Sequence, residues 1–193
     1  MFSDLLNSKF YAVCLAFTKW IYLTLLFLVF SLPIITAGTS LTALIATIRQ
    51  PEYEVWKIFW KTYKENFIRG TVVFIFTGFT LMFLFQAWNI LGAIPGGNII
   101  YLFLLIFLIV YNLNAYLFVS ILNKCGITFF RQVFFFTIGT LYKTFFVPIL
   151  GAGIFIVAPI IGGNIMFLLS ISIILTIYVA MVKKDIQVVE ELI

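Results

Sequence analysis

Two stretches limit this chain more than anything else in it. Residues 71–91 and 99–122 carry no charged side chain, and each is long enough to cross a hydrocarbon layer about 30 Å thick as a helix. Inside such a layer each backbone N–H and C=O needs a partner within the segment, so runs of this kind read as helices. The rest of the chain agrees: 64% of the 193 residues are hydrophobic and 10% are charged, too little polar surface to clothe a water-soluble domain. The expected fold class is all-α, a polytopic membrane helical bundle, with residues 1–193 forming a single integral membrane domain.

The basic residues orient the bundle. Segments at about 20–31, 71–91, 99–122, 147–161 and 165–182, together with a short one near 39–48, pair into three hairpins of about six membrane segments. Their turns at Pro33, at Gly96-Gly97-Asn98 and at Gly162-Gly163-Asn164 carry no charge, while Lys and Arg gather at the opposite ends. That asymmetry predicts a multi-pass protein of the plasma membrane with both termini cytoplasmic. Lys19-Trp20 marks the first boundary, a lysine able to snorkel beside an interfacial aromatic. Residues 1–17 read as an interfacial lead-in and lack the pattern of a signal peptide. Residues 125–142 are apolar but are kept on the cytoplasmic side, because a crossing there would export Lys143, Lys183 and Lys184. Residues 185–193 read as a short acidic tail. The net charge of +5 is accounted for by flanking the spans, so no nucleic acid is expected as a partner.

Residues 31–67 hold the most information. Pro33 ends the first span, since proline lacks the N–H donor and clashes with the preceding turn. Gly38-Thr39-Ser40 offers turn and capping chemistry for a helix over about 39–48, only ~15 Å long. Pro33 and Gly38 are therefore the candidate turn or hinge residues. Two arrangements fit: a tight hairpin with a thin second arm, or a re-entrant turn that holds Thr36, Thr39, Ser40 and Thr42 at membrane depth against protein or water. Residues 51–69 form an amphipathic pattern. At 100° per residue Val55, Trp56, Phe59, Trp60, Tyr63 and Phe67 share an arc of about 140°, opposite Glu54, Lys57, Lys61, Lys64, Glu65 and Arg69, with Ile58 out of register. This predicts a helix lying on the cytoplasmic face. It serves either as an anchor in membrane lipid or as a docking surface built from Trp56, Lys57, Trp60, Lys61, Lys64 and Arg69.

Ser31-Leu32-Pro33-Ile34-Ile35-Thr36-Ala37-Gly38, then Ser40-Leu41-Thr42-Ala43-Leu44, then Phe59-Trp60-Lys61 and Tyr63-Lys64-Glu65-Asn66-Phe67, resemble the YesL family of small bacterial membrane proteins. The resemblance is specific over about residues 20–67, and the family often carries asparagine where this chain has Thr24. It implies Gram-positive bacteria and a setting of carbohydrate uptake beside ABC importers, and it supplies no catalytic residues.

Chemistry is sparse. The chain has no His, hence no imidazole base or metal ligand, and no phosphate-binding glycine loop. Cys14 and Cys125 lack CxxC spacing and read as small buried side chains. No paired carboxylates and no nucleophile–base pair occur, so neither an enzyme nor a cofactor or metal is expected. The spans hold no acidic residue, which argues against an ion-coupled carrier. Their polar groups include Asn112, Asn114 and Tyr116, with Asn112 and Tyr116 on one face and Asn112 roughly level with Thr77 and Thr80. They serve either as interhelical hydrogen bonds or, with Thr39 and Ser40, as an intramembrane polar patch. Ile94–Ile99 and Ile160–Ile165 echo one another, and similar turns suffice to explain it. The leading expectation for function is a non-enzymatic accessory subunit of a carbohydrate ABC importer, bound to its permease subunits. A stand-alone solute channel or facilitator, and a membrane scaffold or sensor partner of a signalling kinase, are the alternatives.

Overall fold

The computed structural model describes residues 9–50, 54–122 and 126–191, and the regular structure among them is entirely helical. The helices are α1 (Lys9–Ser31), α2 (Ala37–Arg49), α3 (Val55–Glu65), α4 (Phe67–Leu91), α5 (Gly97–Leu122), α6 (Ile127–Thr144) and α7 (Phe146–Glu191), with a 3₁₀ turn at Ile34–Thr36. Among the described residues three stretches are long and apolar enough to cross a membrane: Cys14–Ser31 of α1, α4 and α5. A fourth follows if α6 and Phe146–Val157, bent by 61° to one another, form one broken span. The chain is an all-helical membrane protein.

The short helix is the centre of the bundle. α2 has 13 residues and is about 20 Å long, short of the hydrocarbon thickness. It packs against α1, α3, α4, α5 and α7, and nine of its residues, from Gly38 to Thr47, are buried. Leu44 and Ile45 join Leu23, Phe59, Val73, Leu117 and Val119 in one apolar cluster. The turn into α2 comes earlier than the sequence suggests. Pro33, at φ −75° and ψ 112°, precedes the 3₁₀ turn, and the Thr36 hydroxyl donates to the Pro33 carbonyl at 2.7 Å. Gly38, Thr39 and Ser40 lie inside the helix, so Gly38 is no hinge. Its small size matters instead: a Cβ there would sit 2.4 Å from the Gly70 carbonyl oxygen, and one on Gly70 would sit 2.7 Å from Thr39 Cα. The two glycines let α2 and α4 touch backbone to backbone, the small-residue packing that membrane helices use.

The helix expected over 51–69 is shorter in the structure. α3 ends at Glu65, Asn66 breaks it at φ −109°, and Phe67 and Arg69 belong to α4. The Asn66 side-chain amide bonds the Thr62 carbonyl at 3.3 Å, and Arg69 donates to Asn66 Oδ1 at 3.2 Å. Pro51 and Glu52 lie outside the described residues, as do Lys124 and Cys125. α3 also runs back along α2: Glu54 lines a cleft with Gln50 at one end, and Phe67 accepts from Thr39 at 3.0 Å at the other. Its aromatic face does not simply meet lipid. Phe30 of α1 packs on Trp56, Phe59, Trp60 and Tyr63 at centroid distances of 5.0–6.0 Å. Trp56, Trp60 and Tyr63 are stacked nearly parallel.

α4 and α5 form a hairpin closed by Gly96 at φ +79°, a left-handed conformation that suits glycine. Gly97 opens α5 where a Cβ would lie 1.9 Å from the Leu91 carbonyl. α6 crosses α5 steeply: Phe107 and Phe118, about 16 Å apart along α5, contact Phe134 and Phe136, which are two positions apart. α7 is helical through residues 162–164, so the expected Gly-Gly-Asn turn does not interrupt it, and residues 185–191 continue the helix. It nonetheless doubles back. A Cβ on Gly151 would lie 3.6 Å from Ile174, a residue that a straight helix would hold about 35 Å away, and Pro159, which removes one helical hydrogen bond, falls between the two. Cys14 is exposed on α1, not buried as expected, as are its neighbours Leu15 and Phe17, so this turn of the helix is not covered by the other described residues.

Candidate functional site

Charged side chains gather around Gln50, and two clefts open on either side of it. The first, about 390 Å³, lies between α3, Gln50 and Ser120 of α5. Glu54, Lys57, Ile58, Lys61, Thr62 and Glu65 line it at spacings of three and four, one stripe of α3. Ile58, out of register with the aromatic arc, is thereby explained: it is buried and helps line this cleft. Lys57 pairs with Glu54 at 2.8 Å. Lys64 lies off the stripe, 4.6 Å over the Trp60 ring. The six residues proposed for docking are thus divided. Lys57 and Lys61 face the cleft, Trp56, Trp60 and Lys64 belong to the aromatic side, and Arg69 sits in α4.

The second cleft, about 460 Å³, runs between the end of α2 and the last turns of α7. Arg49 lines this second cleft, and its partner Ser120 lines the first. It donates to Ser120 Oγ at 3.2 Å and pairs with Glu190, so three helices meet on one guanidinium. Burial lowers the Arg49 pKa from its ordinary value and Glu190 acts in the opposite direction, which leaves an arginine charged at any physiological pH. Lys143 of α6 holds Asp185 of α7 at 2.7 Å, and Lys19 donates to the Gln50 carbonyl at 3.2 Å.

The polar groups of the spans form separate clusters. Thr77 lies 3.0 Å from Asn112 Oδ1 and 2.9 Å from the Tyr116 hydroxyl, and Asn112 donates to Thr80 at 3.0 Å. This joins α4 to α5 and brings together the residues expected to lie level. Asn114, on another face, donates to Thr137 of α6 at 2.9 Å and accepts from Tyr178 of α7. Thr24 and Ser172 bond at 2.7 Å between α1 and α7. Thr39 bonds Phe67 and Ser40 bonds Thr36, each to a carbonyl. Thr39, Ser40, Asn112, Asn114 and Tyr116 therefore do not line one patch. Among the described residues no buried side-chain nitrogen or oxygen lacks a partner, and no cluster of three or more Cys, Asp or Glu is placed to hold a metal ion. The Asn114–Thr137–Tyr178 junction is what the sequence did not disclose. Its signal was faint, one asparagine two positions from another.

Residues 20–88 match the model of a family described as "Protein of unknown function, DUF624", which is the YesL family. The matched region runs from the second turn of the first span to near the end of α4, and it contains the Gly38–Gly70 contact and the first cleft's stripe. No curated protein and no solved structure matches the chain.

Proposed function

We propose, from the premise that residues 20–88 are those of the YesL family, that this protein is a non-enzymatic accessory subunit of a carbohydrate ABC importer and binds its permease subunits through its charged end. The α3 stripe carries the proposal. Along an open cleft Glu54 and Glu65 bracket Lys57 and Lys61, and the same helix carries the exposed indole of Trp56. A surface carrying both signs of charge with an aromatic on the same helix suits a protein partner, where complementary charges set register and an aromatic supplies the anchor. The absence of charge from the α4–α5 turn supports placing this end in the cytoplasm of a Gram-positive cell. Both termini then lie inside, and about six membrane segments form three hairpins, α2 being the short one. Among the described residues every buried side-chain hydroxyl and amide has a hydrogen-bond partner within the protein, which supports an accessory role over a solute pathway of its own.

Affinity purification from native membranes in a mild detergent tests the proposal. Permease or ATPase subunits are expected to accompany the wild-type chain, and a Lys57→Glu/Lys61→Glu variant should lose them while remaining monodisperse. A homogeneous free protein, with sugar uptake unchanged in a deletion strain, would overturn it. Recovery of a signalling kinase, or solute flux through liposomes holding the protein alone, would point to a scaffold or a facilitator instead.

A further inference from the structure

The second cleft has a different chemistry from the first, and it changes along its length. On α7, Thr176, Val179 and Ala180 line its inner part and Lys183, Gln187 and Glu190, with Ile186 between them, its outer part, all along one side of the helix, with Ile48 of α2 opposite. The inner half thus offers mostly hydrocarbon and the outer half charge. The charges there do not balance. Arg49 is matched by Glu190, while Lys183 lines the cleft and Lys19 lies 3.2 Å from the carbonyl of Gln50, another lining residue. In the first cleft, by contrast, Glu54 and Glu65 offset Lys57 and Lys61.

We infer that the groove between α2 and α7 holds an anionic phospholipid. One acyl chain lies along Ile48, Val179 and Ala180, and the phosphate meets the ammonium groups of Lys183 and Lys19. The volume of about 460 Å³ holds a headgroup and the upper part of a chain, the remainder of the lipid staying in the bilayer. The position suits this occupant and no soluble anion: the apolar half follows α7 away from the charged end, along the direction a lipid tail takes from the headgroup level. The inference stands apart from the importer proposal, since it needs no protein partner.

Native mass spectrometry of the full chain in a neutral detergent tests it. Dioleoylphosphatidylglycerol, dioleoylphosphatidylcholine and soluble glycerol phosphate are added in parallel. One phosphatidylglycerol per chain is expected to be retained, with phosphatidylcholine held at least tenfold more weakly and glycerol phosphate not held. Lys183→Gln should weaken phosphatidylglycerol about fivefold, since one lysine at a membrane surface contributes about that much. Ala180→Trp, which fills the apolar half, should abolish retention, and Lys61→Gln in the other cleft should leave it unchanged. Equal retention of both lipids would overturn the inference, as would retention unaffected by Lys183→Gln. Binding of glycerol phosphate as strong as that of the lipid would make this a site for a free anion. Lys183 is exposed and its substitution leaves the core intact, so that variant decides even if Ala180→Trp fails to fold.

Discussion

α2 and α4 are both apolar helices, and the bundle uses them in opposite ways. α2 is buried from Gly38 to Thr47, whereas α4 buries five of its 25 residues and leaves Ile75, Phe79, Met82, Phe83 and Phe85 on the outside. Mean apolarity ranks them the wrong way round for a soluble protein, in which the more apolar helix would be the inner one. In a bilayer the lipid tails are as apolar as leucine, so no hydrophobic force sorts helices inward. Size and hydrogen bonding do the sorting. α2 is built of glycine, alanine, serine and threonine between its Leu and Ile residues, which lets five neighbours approach it. α4 keeps that chemistry only at its start, around Gly70, and again at Thr77 and Thr80, where it meets α5.

Substitutions that swap the two characters should break the contrast most. Gly38→Leu forces a side chain against the Gly70 carbonyl and should cost at least about 3 kcal/mol. That corresponds to a fall of roughly 10 °C in the midpoint of thermal unfolding in detergent, or to loss of monodisperse protein. Gly78→Leu on the outer face of α4, where an added Cβ meets nothing within 4 Å, should stay within about 1 kcal/mol of wild type. If the two variants melt together, the Gly38–Gly70 contact is not what holds α2 in place.

A smaller loss is expected where polar groups join helices. Asn114→Leu leaves Thr137 and Tyr178 without their partner and should lower stability by about 1–2 kcal/mol. Combined with Tyr178→Phe it should cost less than the sum of the two, because both remove the same bond. Strict additivity would show that the junction is not a unit. Smaller again is Arg49→Gln, at about 1 kcal/mol, since Glu190 is half exposed and salt screens such a pair. Raising the salt concentration should narrow the gap between wild type and variant, and a gap that persists at high salt would assign the effect to the Ser120 bond instead. At the bottom of the scale is Thr42→Val. The Thr42 hydroxyl donates to the Gly38 carbonyl of its own helix at 3.0 Å, so an isostere should shift stability by less than about 1 kcal/mol. A large effect would mean that the hydroxyls of α2, and not their small size, select its neighbours.

The two long uncharged helices α4 and α5 and the apolar part of α1 were legible in the sequence, because they follow from composition over a long window: runs without charge, with lysines beside them. Pro33 as the end of α1 was legible for the same local reason that proline ends any helix. The role of Gly38 was not, since a glycine ahead of a helix and a glycine pressed against another backbone leave the same trace in one chain. The end of α3 was hidden too. Phe67 and Arg69 keep the periodicity of the preceding turns, and nothing but Asn66 marks the change of direction. Asn112 could be placed level with Thr77 by counting turns from a glycine turn, whereas the partners of Asn114 come from α6 and α7, and no count of turns predicts how those cross α5. The groove beside α7 depends on the end of α2 reaching residues 176–190, a juxtaposition that only three-dimensional packing reveals.

The Thr24–Ser172 bond and the Arg49–Glu190 pair join residues 148 and 141 positions apart, so their segments are synthesised well separated in time. The ribosome has already delivered α1 and α2 to the membrane long before the helix that receives them exists. During that interval α2, too short to span alone and rich in hydroxyls, must be sheltered by the insertion machinery or by α4 and α5. A chain halted before Ser172 would expose an unfinished seam along α1, the kind of defect by which membrane proteases recognise incomplete products.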